Sequence, residues 1–379
     1  MAEYEIKDGV GIIPEGTTCI EAFAFEHRTD LTSIVIRESV TEIGRSAFIG
    51  CTGLTNIVIP NSVIEIERAA FYGCTGLTNI VIPNSVTEIQ ENAFQYCTSL
   101  TDIIISNSMT KIGESAFNGC TGLTSIVIPE SVTEIGDYAF NGCTGLTNIV
   151  IPNSVTKIGK SAFNGCTGLT SIVIPDSVKE IGKSAFDGCT SLASIEVSKG
   201  NENYDSRGEC NAIIETKSNK IVAGCTATII PDSVTEIGTR AFYGCMGLTN
   251  IVIPDSVAKV GELAFCDCTG LTSIVIPISV TEIGDYAFCG CENLKSLSIM
   301  GPVTKIEEAV LGRCTSLETV SLGTGIKKIV KEAFEDCTAL KVINVPAKKA
   351  DYYKKRLPEN LHSLIVELPA EKKAASKRK

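Results

Sequence analysis

Apolar residues recur along the chain in one arrangement. Between Leu31 and Gly53 they stand at Leu31, Ile34, Ile36, Val40, Ile43, Ala47, Phe48 and Cys51, and the next segment repeats the order from Leu54. The spacing changes inside the unit. Leu-x-x-Ile-x-Ile alternates as a strand with one buried face does, whereas Ala47, Phe48 and Cys51 have the spacing of a single helical turn. Each unit therefore predicts a strand, a turn, a short helical turn and a return. Pro60, Asn61 and Ser62 supply the first turn, because proline presets φ and Asn or Ser side chains bond nearby backbone. Gly44, after Ile43, provides a backbone break that a bulkier residue would resist.

The arrangement has a fixed period. CTGLTNIVIPNSV occurs verbatim at Cys51 to Val63, Cys74 to Val86 and Cys143 to Val155. Leu31, Leu54, Leu77, Leu100, Leu123, Leu146, Leu169 and Leu192 follow one another at steps of 23, and Leu248, Leu271, Leu294, Leu317 and Leu340 resume the step. A coil that short cannot bury its apolar face alone, so it stacks on copies of itself and equivalent side chains lie above one another. At strand spacing, roughly 4.8 Å, the chain would form about 14 such coils.

Leu123 to Gly145, LTSIVIPESVTEIGDYAFNGCTG, resembles the repeat of BspA-like leucine-rich-repeat proteins, and the likeness runs from about Pro14 to Pro346. The resemblance implies an α/β-type repeat solenoid, a right-handed coil with one parallel β-sheet face and short helical turns opposite. Studied members are mostly surface or secreted adhesion proteins of bacteria and parasitic protists. The resemblance thus implies a protein or glycan ligand, with host extracellular proteins among the candidates.

The ends of a stack need covers, and the pattern degenerates there. Residues 1–30 read as a capping coil that keeps Pro14, Ile20 and Phe25 in register but has Asp8 and Arg28 in place of leucine and cysteine. Residues 31–346 form the repeat body. Its one interruption lies between Leu192 and Leu248, where ten extra residues enter near 199–224. They read as a hairpin, with Asn211 to Glu215 and Lys220 to Gly224 flanking the polar turn Thr216 to Asn219; the resembled family carries similar insertions. Symmetric pairing would set Cys210 opposite Cys225, either as two thiols or as a disulfide in an oxidising setting. Residues 347–367 read as a C-terminal cap, a helix and then a strand at Leu364 to Glu367. Residues 368–379 read as a basic disordered tail.

The chain is acidic, with a formal net charge of −11, yet Ala347 to Lys379 carries ten Lys and Arg against four Asp and Glu. The rest therefore holds −11 − 6 = −17. A charged tail of this kind is usually solvated, and no nucleic-acid partner is expected. Apolar residues make up 44% of the chain without a run near the eighteen or so that a membrane span needs. The start, MAEYEIKDGVGIIPEG, lacks the positive end and apolar block of a secretory signal. Family resemblance therefore points to a cell-surface or secreted protein, and the missing signal to a cytoplasmic one.

Candidate chemistry is sparse. Twelve of the 17 cysteines share one repeat position, from Cys51 to Cys337. They read as a column of small buried side chains, because a zinc site needs ligands converging on one point. Cys266 and Cys268, with Cys289 and Cys291 one coil on, place four thiols in neighbouring coils. In a helical turn, residues two apart point to different sides, so Cys266 and Cys289 should face outward and Cys268 and Cys291 inward. Their readings are structural thiols, a Cys266 to Cys289 disulfide, or a metal site. His27 and His362 are the only histidines, which leaves the body of the stack without an imidazole base for a nucleophile. The serines at Ser39, Ser62 and Ser85 should satisfy backbone groups at the turn. The Glu42, Glu65, Glu88, Lys111 column should be a solvated ladder of weak ion pairs. Glycines stand singly, so no phosphate-cradling loop is present. No catalytic residue, metal or cofactor is expected.

One surface remains. If Ile34 and Ile36 point inward, Val35 points outward, and so do Val58, Val81, Ile104, Val127, Val150 and Val173, resuming at Ile229, Val252 and Val275. Asn56, Asn79 and Asn148 flank them. A contiguous apolar stripe marks contact with a partner, although valine also suits a sheet surface through its own stiffness. The expected function is non-enzymatic recognition or adhesion through this face, with an intracellular protein–protein scaffold as the alternative.

Overall fold

In a computed structural model that describes residues 4–369, the apolar positions of successive repeats lie one above another. Leu31, Leu54, Leu77 and Leu100 are fully buried, as are Val40, Val63 and Ile43. The chain divides into two compact units, the first ending at Lys217 and the second beginning at Ser218.

Each repeat contributes three sides to its coil. The first is the strand that alternation predicted. Ser33–Val35 pairs in parallel with Asn56–Val58, with Ile34 opposite Ile57 and Val35 opposite Val58. The second is a two-residue strand. Glu42–Ile43 pairs in parallel with Glu65–Ile66, and Glu88–Ile89, Lys111–Ile112, Glu134–Ile135, Lys157–Ile158 and Glu180–Ile181 continue the pattern in one sheet.

The third side differs from the expected helical turn. The Ala47, Ile49 and Cys51 amides donate locally to the Gly44, Ser46 and Phe48 carbonyls. The alternate Ser46, Phe48 and Gly50 amides donate to Arg68, Ala70 and Tyr72 in the next coil. Such alternation requires the backbone to reverse hand every few residues, and Ser46 (φ 55) and Gly50 (φ 69) are left-handed. A continuous helix would turn all these donors inward along its own axis and leave the coils unjoined on this side. Gly44 itself is not left-handed. A Cβ there would lie 2.7 Å from the Ile20 carbonyl oxygen, so close approach of coils favours glycine.

Phenylalanines fill the core behind this side. From Phe25 to Phe186 the rings of the first unit stack almost parallel at 5.2 to 5.6 Å. Phe242, Phe265 and Phe288 do the same in the second at 5.0 and 5.2 Å. Full burial of such a ring stabilises the fold by about 1.5–3 kcal/mol.

The first unit begins with a hairpin that the repeat pattern did not reveal. Glu5–Lys7 pairs antiparallel with Val10–Ile12, which continues the parallel sheet onto Ser33–Val35. The Tyr4 ring covers Phe25 at 5.1 Å and its hydroxyl donates to the Cys19 carbonyl at 3.3 Å. At the other end of this unit, the insertion folds back over the stack. Buried Asn201 donates to the carbonyls of Pro175 and Val178 at 2.8 and 3.0 Å and accepts from the Asn203 and Tyr204 amides. Tyr204–Asp205 then pairs antiparallel with Ala212–Glu215.

In the second unit, Lys220–Gly224 pairs in parallel with Glu236–Ile237. Its main sheet runs through Ser273–Ile276, Ser296–Ile299, Thr319–Ser321, Val342–Val345 and Ile365–Glu367. A helix at Ala350–Lys354 seats Tyr353 in the core. A 3₁₀ segment, Glu359–Leu364, leads into the last strand. Most of the basic tail, from residue 370 on, lies outside the described residues.

Candidate recognition face

Inward and outward positions of the first strand separate as period two demands. Ile34 and Ile57 are buried, whereas Val35, Val58, Val81, Ile104, Val127, Val150 and Val173 stand exposed at 48% to 79%. They form a column, and where neighbouring strands pair they do so in register: Val35 opposite Val58, Val81 opposite Ile104, Val127 opposite Val150. The column ends at Glu196, opposite Val173. Asn56, Asn79 and Asn148 lie beside it, also exposed. In the second unit, Ile229, Val252 and Val275 are exposed, and then Ser298 and Ser321 take the outward place. The stripe is thus longest in the first unit.

A threonine column runs along the edge of this face with its hydroxyls engaged. Thr55 and Thr147 donate to the Thr32 and Thr124 carbonyls one coil earlier, each at 3.2 Å. What the face offers a ligand is therefore β-branched methyls flanked by Asn and Ser groups.

Sequence reasoning missed a groove at the end of the stripe. It has a volume of about 960 Å³ and is lined by Glu196, Ser198, Lys199, Asp205, Arg207 and Asn211 among others. Arg207 pairs with Asp205 at 2.6 Å, and the Val197 amide donates to the Ser206 hydroxyl at 2.6 Å, which folds the insertion against the strand end. The polar run SKGNENYDSRGEC was the available signal, but its fold-back needs the buried Asn201 contacts to be known.

The other candidate columns have structural partners. Lys111 pairs with Glu88 at 3.8 Å and Lys157 with Glu134 at 3.2 Å on the two-residue strands of the first unit, and Lys259 with Glu282 at 3.0 Å on those of the second. Ser39, Ser85 and Ser177 donate to backbone carbonyls one coil back, as expected. Ser62, Ser131, Ser154, Ser256 and Ser279 occupy the same position without a partner.

Column cysteines point inward, and most of their thiols donate to the carbonyl of the phenylalanine one coil earlier: Cys51 to Phe25 at 3.0 Å, Cys143 to Phe117 at 3.1 Å, Cys291 to Phe265 at 3.2 Å; Cys245 donates to Gly224 and Cys337 to Leu311 instead. Burial pushes these thiols up, to about 12 for Cys120 and Cys166. Such thiols are inert at neutral pH. Cys210 and Cys225 are also buried, one in each unit, and burial raises both.

Cys266 and Cys289 do not face solvent as helical spacing suggested. They are 5% and 8% exposed, because the turns on this side hold both residues against the neighbouring coil. Among the described residues, no cluster of three or more His, Cys, Asp or Glu is placed to hold a metal, and no helix is long and apolar enough to cross a membrane.

Stacked 23-residue coils with in-register parallel strands define a leucine-rich-repeat solenoid. The chain belongs to the BspA-type leucine-rich-repeat family, whose model, described as a region of six copies, matches residues 18–146, 110–234 and 212–341. Among solved structures it is similar to a leucine-rich cell surface protein of Faecalibacterium prausnitzii, at 30% identity over 93% of this chain and 88% of that one, with a TM-score of 0.68. A leucine-rich-repeat protein of Bacteroides ovatus is 27% identical over 97% and 98% of the two chains, with a TM-score of 0.55. The pneumococcal vaccine antigen PcpA shares the fold, at 20% identity over 98% of each chain and a TM-score of 0.63. Comparison with curated proteins gave no match.

Proposed function

We propose that the chain is a non-enzymatic recognition module that binds a protein partner through the exposed sheet face of its first unit, in adhesion at a cell surface. The observation that carries this reading is the column of outward apolar residues that recurs in every coil from Val35 to Val173, each of them exposed. A contiguous apolar stripe of this kind costs solubility unless a partner covers it. Its outward neighbours are Asn, Ser and Asp, which can hydrogen-bond a partner's backbone without the desolvation cost of burying full charges. Aromatic rings, which give rigid contact area in many binding sites, do not occur at the outward positions from Ser33 to Glu196, and this favours an extended protein surface over a sugar. The likeness to a leucine-rich cell surface protein supports the surface setting.

The test is an array of immobilised extracellular proteins and glycans probed with wild type and with a Val127→Glu/Val150→Glu double variant. Expected is a protein ligand whose binding the double variant weakens by at least about tenfold, the effect of losing one hot spot. Binding only to glycans, or undiminished binding by a folded double variant, would overturn the reading.

A further inference from the structure

Only two coils place cysteine at the position two before the buried column, and they are neighbours. Cys266 and Cys289 are 23 residues apart, next to Phe265 and Phe288, whose rings stack at 5.2 Å. The Asp267 amide donates to the Cys289 carbonyl at 2.8 Å, which fixes the two coils beside the pair. A coil spacing near 5 Å lies inside the 4.4–6.8 Å window of Cα separations that a disulfide spans.

Column thiols have the same spacing, but the Cys268 and Cys291 thiols donate to the Phe242 and Phe265 carbonyls at 3.1 and 3.2 Å. Cys266 and Cys289 lie against each other instead, and at 5% and 8% exposure they are slightly less buried than Cys268 and Cys291. A charge pair flanks them. Arg313 reaches Asp267 at 4.0 Å across the intervening coil, where Gly290 leaves room; a Cβ there would come within 2.1 Å of the Asp267 carboxylate.

The structure assigns Cys266 and Cys289 as a redox-convertible dithiol, which a small-molecule disulfide oxidises to an intrachain disulfide joining two adjacent coils of the second unit. The Cys289 sulfur attacks one sulfur of the reagent, forming a mixed disulfide and expelling one thiolate. The Cys266 thiol gives up its proton and attacks the Cys289 sulfur, and the second thiolate leaves. The protein loses two electrons and two protons, and the reagent becomes two thiols.

Arg313 favours Cys289 as the attacking group. The neighbouring Cys266 thiol holds it below the ordinary thiol value and Arg313 acts in the same direction, against burial, Asp267 and Glu335. Tyr243 and Tyr286 also face the pair. Cys266 is pushed up, first by the neighbouring Cys289 and then by burial. Cys19 is less buried than either, yet burial and Glu42 push its thiol to about 11.

The test is reaction of the native full chain with an excess of an aromatic disulfide reagent, followed by mass measurement and peptide mapping. A fast phase is expected that releases two aryl thiols per chain, leaves no adduct and links Cys266 to Cys289. It should run at least about tenfold faster than labelling of Cys19, since each unit of thiol pKa changes the thiolate population tenfold. Cys266→Ser should trap a stable mixed disulfide on Cys289, Cys289→Ser should abolish the fast phase, and Arg313→Gln should slow it. A fast phase that maps to Cys19 or Cys337, a stable adduct on wild-type Cys289, or no fast phase would overturn the assignment.

Discussion

The thiol of Cys143 donates to the carbonyl oxygen of Phe117 at 3.1 Å, and the Cys120 amide donates to that same oxygen at 3.1 Å. The column cysteine thus occupies the second lone pair of a buried carbonyl while filling the space of a small apolar group. Cys143→Ala should cost about 1–2 kcal/mol, from lost packing and the lost weak donor. Cys143→Val should cost more, since its extra methyl meets the carbonyl without a proton to give. Urea unfolding of the three proteins checks the order.

The same burial makes stability fall in alkali. In the unfolded chain a thiol ionises from about its ordinary value of 9.0, whereas Cys120 and Cys166 stay protonated in the fold to about 12. Between those limits the unfolded chain binds fewer protons, so stability is full below about pH 9 and declines as pH rises toward about 12. Unfolding midpoints measured at about pH 8 and about pH 10 should show the decline, and Cys120→Ala/Cys166→Ala should make it shallower. An equal slope in the variant would contradict the explanation.

Phe140 lies between Phe117 and Phe163, with ring centroids 5.4 and 5.5 Å away. Phe140→Ala should cost about 3–5 kcal/mol, and Phe140→Leu about 1–2 kcal/mol because most of the volume remains. In a stack with nearest-neighbour coupling the damage should be local. Amide exchange should therefore rise most in the flanking coils.

Ser161 is buried and left-handed, φ 50. A β-branched residue tolerates that conformation poorly, so Ser161→Val should lose about 1–2 kcal/mol, whereas Ser161→Gly should match or exceed the wild type. Thermal denaturation distinguishes them, and a harmless valine would show that the turn relaxes to another conformation.

The strand and its buried face were legible because alternation is a direct consequence of pleat geometry, and Ile34, Val35 and Ile36 lie as it requires. The stacking of Phe48 on Phe71 followed from the period alone. The turns on the third side were not legible. Their left-handed position is filled by Ser46, Ala69, Asn92 and Tyr138 in different coils, so no glycine marks it, and Ala-Phe-x-x-Cys imitates a helical turn. The burial of Cys266 and Cys289 was missed for the same reason. The Glu5–Lys7 hairpin and the groove beside Arg207 occur once each, where a repeat pattern carries no information.

Hydroxyl-radical footprinting of the first unit with and without bound ligand tests the central claim, recognition through the sheet face, most directly. The account predicts that Val127 and Val150 lose labelling when ligand is bound, while Tyr96 and Tyr138 on the turn side label as before. Protection of the tyrosines with the valines unchanged would contradict it.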